Sequence, residues 1–216
     1  MSYSAVVFDL DGTLLDTLAD IADSANAVLE VRGLMTHPVA AYKQFVGEGV
    51  GRLVQQSFPK DHWSGDQLAQ RVDEVRQEYA KRMFNKTRPY PGVPELLDCL
   101  AQRKLAMAVL SNKPEEYTRK TVERLLSRWD FAVVRGARSG VPLKPDPASA
   151  LALAKEMGLP PARFLYLGDT GIDMRTAAAA GMFAVGALWG FRGEDELLEG
   201  GAQRLIRRPP ELLELL

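Results

Sequence analysis

The chain has 216 residues, with 27 Lys and Arg against 28 Asp and Glu, so its formal net charge is −1 at pH 7. Binding to nucleic acid or to an acidic membrane surface without sequence preference requires an excess of positive charge, so we expect neither partner and favour a small-molecule substrate. A hydrophobic fraction of 46% and a charged fraction of 25% are typical of a globular protein with one domain, or one domain and an insert.

Short runs of apolar, β-branched and aromatic residues predict the strands of a sheet. They cover residues 5–8, 105–110, 131–134, 164–167 and 183–188. Each of the later runs is separated from the next by enough chain for a helix. Alternation of buried strands with helices predicts an α/β fold built on a doubly wound parallel sheet.

Nearly a hundred residues separate the first two predicted strands, more than one crossover helix requires. The apolar residues in this stretch follow a helical spacing, which predicts an inserted helical domain. We place the insert at residues 15–86, so that residues 1–14 and 87–216 together form the α/β core.

The first helix of the insert has recognisable ends in the sequence. Thr17 is a plausible N-cap, and Asp20 follows three residues later, as in a capping box. Gly33 supplies the C-terminal stop. A helix is therefore expected between these positions.

Targeting and membrane-spanning patterns are not recognisable in the sequence. The first apolar run ends at Asp9, which is too early for the apolar region of a secretory signal. The uncharged stretch 177–191 has 15 residues and three glycines, fewer than the ~18 needed to cross a bilayer. These features predict a cytoplasmic protein with no membrane partner.

Cysteine and histidine are scarce in the sequence. Cys99 is the one cysteine, which excludes an intramolecular disulfide or a multi-cysteine zinc site. His37 and His62 leave little for imidazole ligation. Any metal is therefore expected to bind oxygen ligands.

Two aspartates, Asp9 and Asp11, directly follow the first predicted strand and precede Gly12. In an extended chain, residues i and i+2 point to the same side, so both carboxylates can face one pocket while the glycine lets the backbone leave the sheet. Like charges in so small a volume repel unless a proton or a cation intervenes. The pair therefore favours a hard divalent ion.

Four short motifs lie beside predicted strand ends. They are Asp9-Leu10-Asp11-Gly12-Thr13, Ser111-Asn112-Lys113, Lys144-Pro145-Asp146-Pro147 and Gly168-Asp169-Thr170-Gly171-Ile172-Asp173. Their order and placement resemble the phosphatases of the haloacid dehalogenase superfamily over almost the whole chain, and the second motif is most similar to the phosphoglycolate phosphatase-like branch. An open α/β sheet binds its ligands at this edge, which agrees with the resemblance.

The resemblance implies a magnesium-dependent phosphatase. Asp9 would attack phosphorus and form an aspartyl-phosphate, and Asp11 would protonate the leaving oxygen and later deprotonate water. Mg²⁺ would be held by the carboxylates of Asp9 and Asp169 and by the backbone carbonyl of Asp11. Asp173 would bind the metal directly or through water, although it equally fits a first-turn helix carboxylate.

The same resemblance assigns Ser111, Asn112 and Lys144 to phosphate binding. Taken alone, the serine also fits a helix cap and the lysine an exposed loop residue. Asn112 and Lys113 could face the leaving group or equally be ordinary loop residues. The segment 189–193 resembles a loop near the family's site, but packing of its aromatic side chains at the sheet edge is the preferred interpretation.

The position of the insert implies a small helical cap that closes over the site and excludes water. Residues 45–52 resemble the loop through which such caps touch substrate. Gly49 and Arg52 are the candidate substrate residues, and the arginine could bind a carboxylate of a small phosphoester. Equally, the glycine could only turn the chain and the arginine could be a solvated charge.

The expected substrate is a small phosphorylated metabolite, with 2-phosphoglycolate the first choice by resemblance. Pyrophosphate, a nucleotide or a sugar phosphate are alternatives within the superfamily. A receiver-type phospho-acceptor domain and a non-catalytic binding protein on a similar fold are alternatives outside it. The carboxylate of Asp11 argues against the dehalogenase branch, and the sequence predicts no oligomeric state.

Overall fold

The computed structural model describes residues 3–59 and 65–216. His62 lies outside the described residues. Within them, no helix is both long enough and apolar enough to cross a membrane.

The chain divides into two compact units. The larger contains Met1–Asp16 and Pro89–Leu216, and the smaller contains Thr17–Arg88. Both bounds of the smaller unit lie two residues later in the chain than those predicted for the insert. Residues 15–16 form a short strand, and the second bound falls within the short strand 88–89. That the smaller unit acts as a cap stays a prediction.

The part of the chain that the structure describes contains eight strands. They are β1 (Ala5–Phe8), β2 (Leu15–Asp16), β3 (Arg88–Pro89), β4 (Ala106–Pro114), β5 (Val133–Ala137), β6 (Phe164–Gly168), β7 (Phe183–Ala187) and β8 (Arg204–Ile206). Six of them form a parallel sheet in the order β5-β4-β1-β6-β7-β8, and β2 pairs with β3. The predicted α/β fold with a parallel sheet is confirmed.

Nine α-helices occur among the described residues. They are α1 (Leu18–Val31), α2 (Tyr42–Phe45), α3 (Val50–Ser57), α4 (Gly65–Arg82), α5 (Val93–Gln102), α6 (Glu115–Leu125), α7 (Ala148–Glu156), α8 (Gly171–Ala180) and α9 (Glu194–Glu199). The first four belong to the smaller unit and the last five to the larger one.

The sheet is buried on both faces because helices cover both. All four residues of β1 are fully buried; Val6 and Phe8 join one apolar cluster, and Ala5 and Val7 join a second. Successive side chains of a strand point to opposite faces, so this division places one cluster on each side of the sheet. Helices α5 and α6 contribute to the first cluster, and α7, α8 and α9 contribute to the second. A strand covered on both faces reads as a continuous apolar run, which is why the sequence reveals it.

In the smaller unit, α1 and α3 both pack against α4. An ion pair between Arg32, just after α1, and Glu74 of α4 joins two of these helices at their surface. Gly33 has φ +67° and directly follows Arg32, the C-cap of α1, as predicted.

The predicted capping box of α1 is wrong. Thr17 stands at the N-cap, but its side chain makes no capping hydrogen bond. The buried carboxylate of Asp20 instead accepts hydrogen bonds from the backbone N–H groups of Lys86 and Thr87 and from the hydroxyl of Thr87. These donors lie 66 and 67 residues away in sequence, so no local pattern reveals them.

Candidate active site

An acidic cluster lies at the carboxyl edge of the six-stranded sheet. Asp9 directly follows β1, Asp169 directly follows β6, and Asp173 lies in the first turn of α8. One carboxylate oxygen from each of the three lies within 4.8 Å of the others, and all three side chains are buried. Since β1 and β6 are neighbours in the sheet, the topology brings together aspartates that are 160 residues apart.

Lys144 places a buried positive charge inside this cluster. Its Nζ donates to Asp9 Oδ1 at 2.8 Å, to Asp173 Oδ1 at 2.7 Å and to the carbonyl of Leu110 at 3.1 Å. Only 3% of its side chain is exposed. Charge-assisted hydrogen bonds of this length are among the stronger polar contacts in proteins, so the lysine fixes the nucleophile candidate relative to the last motif.

Asn112 is bonded to the backbone of Lys144. Its Nδ2 donates to the Lys144 carbonyl at 3.0 Å, and the Lys144 N–H donates to its Oδ1 at 2.9 Å. The sequence predicts Asn112 to bind phosphate, whereas these two bonds engage both polar atoms of its amide with the lysine's own backbone. These bonds hold the backbone of Lys144, and phosphate binding by Asn112 stays a prediction.

Asp169 is held by two donors and enclosed by two glycines. Thr13 Oγ1 donates to its Oδ1 at 2.8 Å, and the Phe191 N–H donates to its Oδ2 at 2.8 Å. Gly12 has φ +89°, and a Cβ there would lie 2.3 Å from Asp169 Oδ2. A Cβ on Gly190 would lie 2.3 Å from the Asp169 Cβ. Side chains at these two positions would therefore displace the carboxylate.

Asp173 caps a helix and also belongs to the acidic cluster, whereas its binding of a metal stays a prediction. Its Oδ2 accepts from the N–H and hydroxyl of Thr170 at 3.1 and 2.7 Å, as part of a capping box at the start of α8. Its Oδ1 accepts from Lys144 and lies 3.5 Å from the hydroxyl of Tyr166. The helix cap thus orients a carboxylate that belongs to the acidic cluster.

Asp11 is paired with a second buried lysine. Lys113 Nζ donates to Asp11 Oδ1 at 2.6 Å, and the two side chains are 5% and 11% exposed. The Lys113 N–H donates to Ser111 Oγ at 3.2 Å, which orients the serine hydroxyl at the end of β4. Lys113 of β4 therefore contacts both Asp11 and Ser111.

Burial dominates the electrostatics of the acidic cluster. It raises the pKa of Asp9 to about 7, against the lowering effect of Lys144 and with further raising by Asp173 and Asp11. Burial also raises the pKa of Asp169 well above its ordinary value, and the charges of Asp9 and Asp173 add to this. Burial alone would lower the pKa of Lys144, but Asp173 and Asp9 raise it well above the ordinary value.

The charges of the site do not balance when every group is ionised. Four carboxylates and two lysines give a formal sum of −2. A buried site with excess negative charge favours protons or cations. The arrangement can hold a divalent cation and still offer two lysines and a serine hydroxyl to an anionic group.

The known proteins most similar to this chain agree on one family. The family model described as haloacid dehalogenase-like hydrolase matches residues 6–187. The chain belongs to the haloacid dehalogenase-like hydrolases. The resemblance seen in the four motifs is therefore confirmed.

Relatives of this haloacid dehalogenase-like hydrolase include curated phosphoglycolate phosphatases. The protein of Xanthomonas campestris pv. campestris is 33% identical over 211 residues, covering 97% of this chain and 95% of the relative. That of Xylella fastidiosa is 33% identical over 205 residues, covering 94% and 89%. The crystal structure of a candidate phosphoglycolate phosphatase from Lactobacillus delbrueckii subsp. bulgaricus has a TM-score of 0.91 at 30% identity, covering 99% and 98%. The family and these relatives show that the chain is a phosphatase of the phosphoglycolate phosphatase-like type.

The two substrate residues predicted in the insert belong to the smaller unit of this haloacid dehalogenase-like hydrolase. Gly49 precedes α3 with φ +85°. Arg52 lies in the first turn of α3, with half of its side chain exposed, and its Nε is 3.8 Å from Glu48 Oε1. Their contact with substrate stays a prediction.

Several groups of the hydrolase's site were not assigned from the sequence. The hydroxyl of Thr13 and the N–H of Phe191 both bind Asp169, and the indole N–H of Trp189 donates to the Thr13 carbonyl at 2.9 Å. Trp189 also packs against the apolar core, which agrees with the preferred interpretation that the aromatic side chains of residues 189–193 serve packing. That interpretation is incomplete, because the loop also contributes a backbone donor to the acidic cluster.

Proposed function

We propose that this protein is a magnesium-dependent phosphomonoester hydrolase that acts on a small phosphorylated metabolite through an aspartyl-phosphate intermediate. The observation that carries the proposal is the buried set of Asp9, Asp169 and Asp173 with Lys144 bonded inside it. The phosphoglycolate phosphatases among the relatives make 2-phosphoglycolate the proposed substrate.

The residues present fit a magnesium ion. Three buried carboxylates supply hard oxygen ligands within 4.8 Å of one another, and the site carries excess negative charge. We assign the carboxylates of Asp9, Asp169 and Asp173 and the backbone carbonyl of Asp11 as the groups that would hold it. When bound, Mg²⁺ would neutralise charge on the phosphoryl oxygens and orient them.

The first half of the proposed reaction transfers the phosphoryl group to the enzyme. A carboxylate oxygen of Asp9 forms a bond to phosphorus while the bond from phosphorus to the ester oxygen breaks. The electron pair of the broken bond remains on the ester oxygen, which takes a proton from Asp11. The dephosphorylated alcohol then leaves.

The second half returns the phosphoryl group to water. Asp11, now a carboxylate, takes a proton from a water molecule while the water oxygen forms a bond to phosphorus. The bond between phosphorus and the Asp9 oxygen breaks, which releases inorganic phosphate and restores the Asp9 carboxylate. Asp11 ends the cycle with the proton that it needs for the next turnover.

Ser111 and Lys144 are proposed to bind the phosphoryl oxygens as they pass between ester, Asp9 and water. The ammonium supplies compact positive charge, and the serine supplies a hydroxyl at the end of β4. Asn112 is proposed to act through its two bonds to the Lys144 backbone. Gly49 and Arg52 stay proposed substrate contacts of the cap.

Magnesium binding should be visible without any turnover. A ligand at 100 times its Kd stabilises the folded state by about 2.7 kcal/mol, which corresponds to a rise in Tm of roughly 5–10 °C for a chain of this size. We expect Mg²⁺ to raise the Tm of the wild type and of Asp130→Asn, an exposed control, but not that of Asp169→Asn. An equal rise in all three proteins would contradict the proposed site.

The substrate assignment is tested by comparing kcat/KM for 2-phosphoglycolate, pyrophosphate, a nucleoside monophosphate and a sugar phosphate. We expect 2-phosphoglycolate to exceed each of the others by about tenfold or more, since one well-formed charged contact contributes that much. A higher kcat/KM for another compound would replace the substrate and leave the hydrolase proposal intact. Absence of Mg²⁺-dependent turnover with all four and with p-nitrophenyl phosphate would overturn the function.

A further inference from the structure

We propose that Lys113 recognises a carboxylate on the leaving group, and so makes the enzyme selective for phosphate esters of 2-hydroxy acids. This inference rests on the proposed hydrolase function. It assigns substrate selection to a residue of the core unit, in addition to the two candidate substrate residues of the insert.

The placement of Lys113 on β4 sets it next to the phosphoryl-binding position. Ser111 and Lys113 are two residues apart on this strand, in the stretch where its pairing with β5 shifts register. The Lys113 N–H bonds to Ser111 Oγ at 3.2 Å, which shows that the two residues are in contact. If Ser111 binds the phosphoryl group, Lys113 is the residue that holds the serine hydroxyl and stands next to it.

The contact with Asp11 sets how far Lys113 lies from the ester oxygen. A general acid must come within about 2.6–3.2 Å of the oxygen that it protonates. Lys113 Nζ is 2.6 Å from Asp11 Oδ1. If Asp11 protonates the ester oxygen, the ammonium lies within about two hydrogen-bond lengths of that oxygen.

The chemistry of a 2-hydroxy acid ester fits this position. In such an ester the carboxylate is attached to the same carbon that carries the ester oxygen, so the two groups are separated by a single carbon atom. A cation beside the residue that protonates the ester oxygen is thus within reach of the carboxylate. An ester of a simple alcohol has no anionic group at that place.

One ammonium can serve two anions at the same time. Lys144 demonstrates this in the same site, where its Nζ donates to both Asp9 and Asp173. Lys113 can likewise hold Asp11 and a substrate carboxylate. Because its side chain is only 5% exposed, the interaction would be weakly screened by water and would discriminate strongly.

The test compares two esters that differ at the proposed contact. These are 2-phosphoglycolate and 2-hydroxyethyl phosphate, in which a neutral hydroxymethyl group replaces the carboxylate. The measured quantity is the ratio of their kcat/KM values in the wild type, Lys113→Met and Lys113→Arg. Lys120→Met is the matched control, since it removes an exposed lysine that is also paired with a carboxylate.

We expect Lys113→Met to lower the ratio by about 10- to 100-fold, the contribution of a hydrogen bond between charged groups, mainly through the KM for 2-phosphoglycolate. Lys113→Arg should keep most of the ratio, and Lys120→Met should leave it unchanged. A loss that acts only through Asp11, or through incomplete folding, lowers kcat/KM for both esters equally and cancels in the ratio.

The outcomes separate this inference from the function on which it rests. An unchanged ratio in Lys113→Met would overturn the inference while the wild type's turnover of both esters supports the hydrolase. A wild type that hydrolyses the neutral ester as well as 2-phosphoglycolate would also overturn it. A wild type that hydrolyses neither ester nor p-nitrophenyl phosphate would overturn the proposed function and the inference together.

Discussion

Asp9→Asn is expected to lower kcat for p-nitrophenyl phosphate in the presence of Mg²⁺ by about 10⁴-fold or more, the scale seen when a catalytic nucleophile is removed. An amide has no anionic oxygen with which to attack phosphorus, and it is a weaker ligand for a hard cation. Asp9 directly follows the central strand β1 and is bonded to Lys144, whereas Asp169 and Asp173 of the same cluster are each held by donors of their own.

The stability of Asp9→Asn shows whether a loss of its activity is due to incomplete folding. Asparagine has nearly the shape of aspartate, and burial raises the pKa of Asp9 to about 7, which means that the folded state tolerates its charge poorly. In the absence of metal, the Tm of Asp9→Asn should therefore not fall below that of the wild type near pH 8. A folded variant with kcat within tenfold of the wild type would remove Asp9 as the nucleophile.

Lys144→Met is expected to reduce both activity and stability. The substitution leaves Asp9 and Asp173 without the ammonium that both of them contact. Breaking a buried ion pair by removing one partner costs about 3–5 kcal/mol, and loss of an electrostatic contact to the reacting group lowers kcat by about 10²- to 10³-fold.

Urea denaturation of the metal-free protein measures the loss of stability, and Mg²⁺-dependent turnover measures the loss of activity. Lys120→Met again serves as the control, because its ion pair is exposed and worth little. If the free energy of unfolding of Lys144→Met lies within about 1 kcal/mol of the wild-type value, and the variant retains most of the wild-type kcat, the lysine is not the counter-charge of the cluster.

The sheet could be predicted from the sequence because its strands are buried on both faces. Five of the six strands appear as short apolar runs, and β1, β6 and β7 begin at the predicted residues. β8 lies at the edge of the sheet with Arg204 exposed, and no apolar run in the sequence marks it. β4 was predicted to end at residue 110, but it continues to Pro114, which pairs with Ala137 of β5 after a shift in register. Ser111, Asn112 and Lys113 at this end are polar and so do not resemble a buried strand, although their side chains are buried in the polar contacts of the site.

The acidic motifs could be predicted because each lies beside a strand end, and the sheet then brings them together. The contacts made by individual side chains could not. Asn112 bonds to Lys144 and Thr13 bonds to Asp169 across long stretches of sequence. The Phe191 N–H is a backbone donor that no residue pattern marks.

Asp20 shows the same limit in the insert. Its spacing from Thr17 fits a capping box, yet its carboxylate binds backbone donors from the far end of the insert. The local pattern and the long-range alternative are both physically reasonable, and only the fold decides between them. Lys113 is a similar case, because the sequence left it between a loop residue and a leaving-group contact until the structure placed it on Asp11.

The central claim, that Asp9 carries the phosphoryl group, is tested most directly by trapping that group on Asp11→Asn. p-Nitrophenol is a good leaving group that departs without an acid, whereas attack by water still requires a base, so the phosphorylated enzyme should accumulate. The variant is mixed with p-nitrophenyl phosphate and Mg²⁺, quenched in acid, digested and analysed by mass spectrometry. We expect a burst of p-nitrophenol and a phosphoryl group on the peptide that contains Asp9, at that residue. A burst with the phosphoryl group on any other residue, or on none, would contradict the central claim.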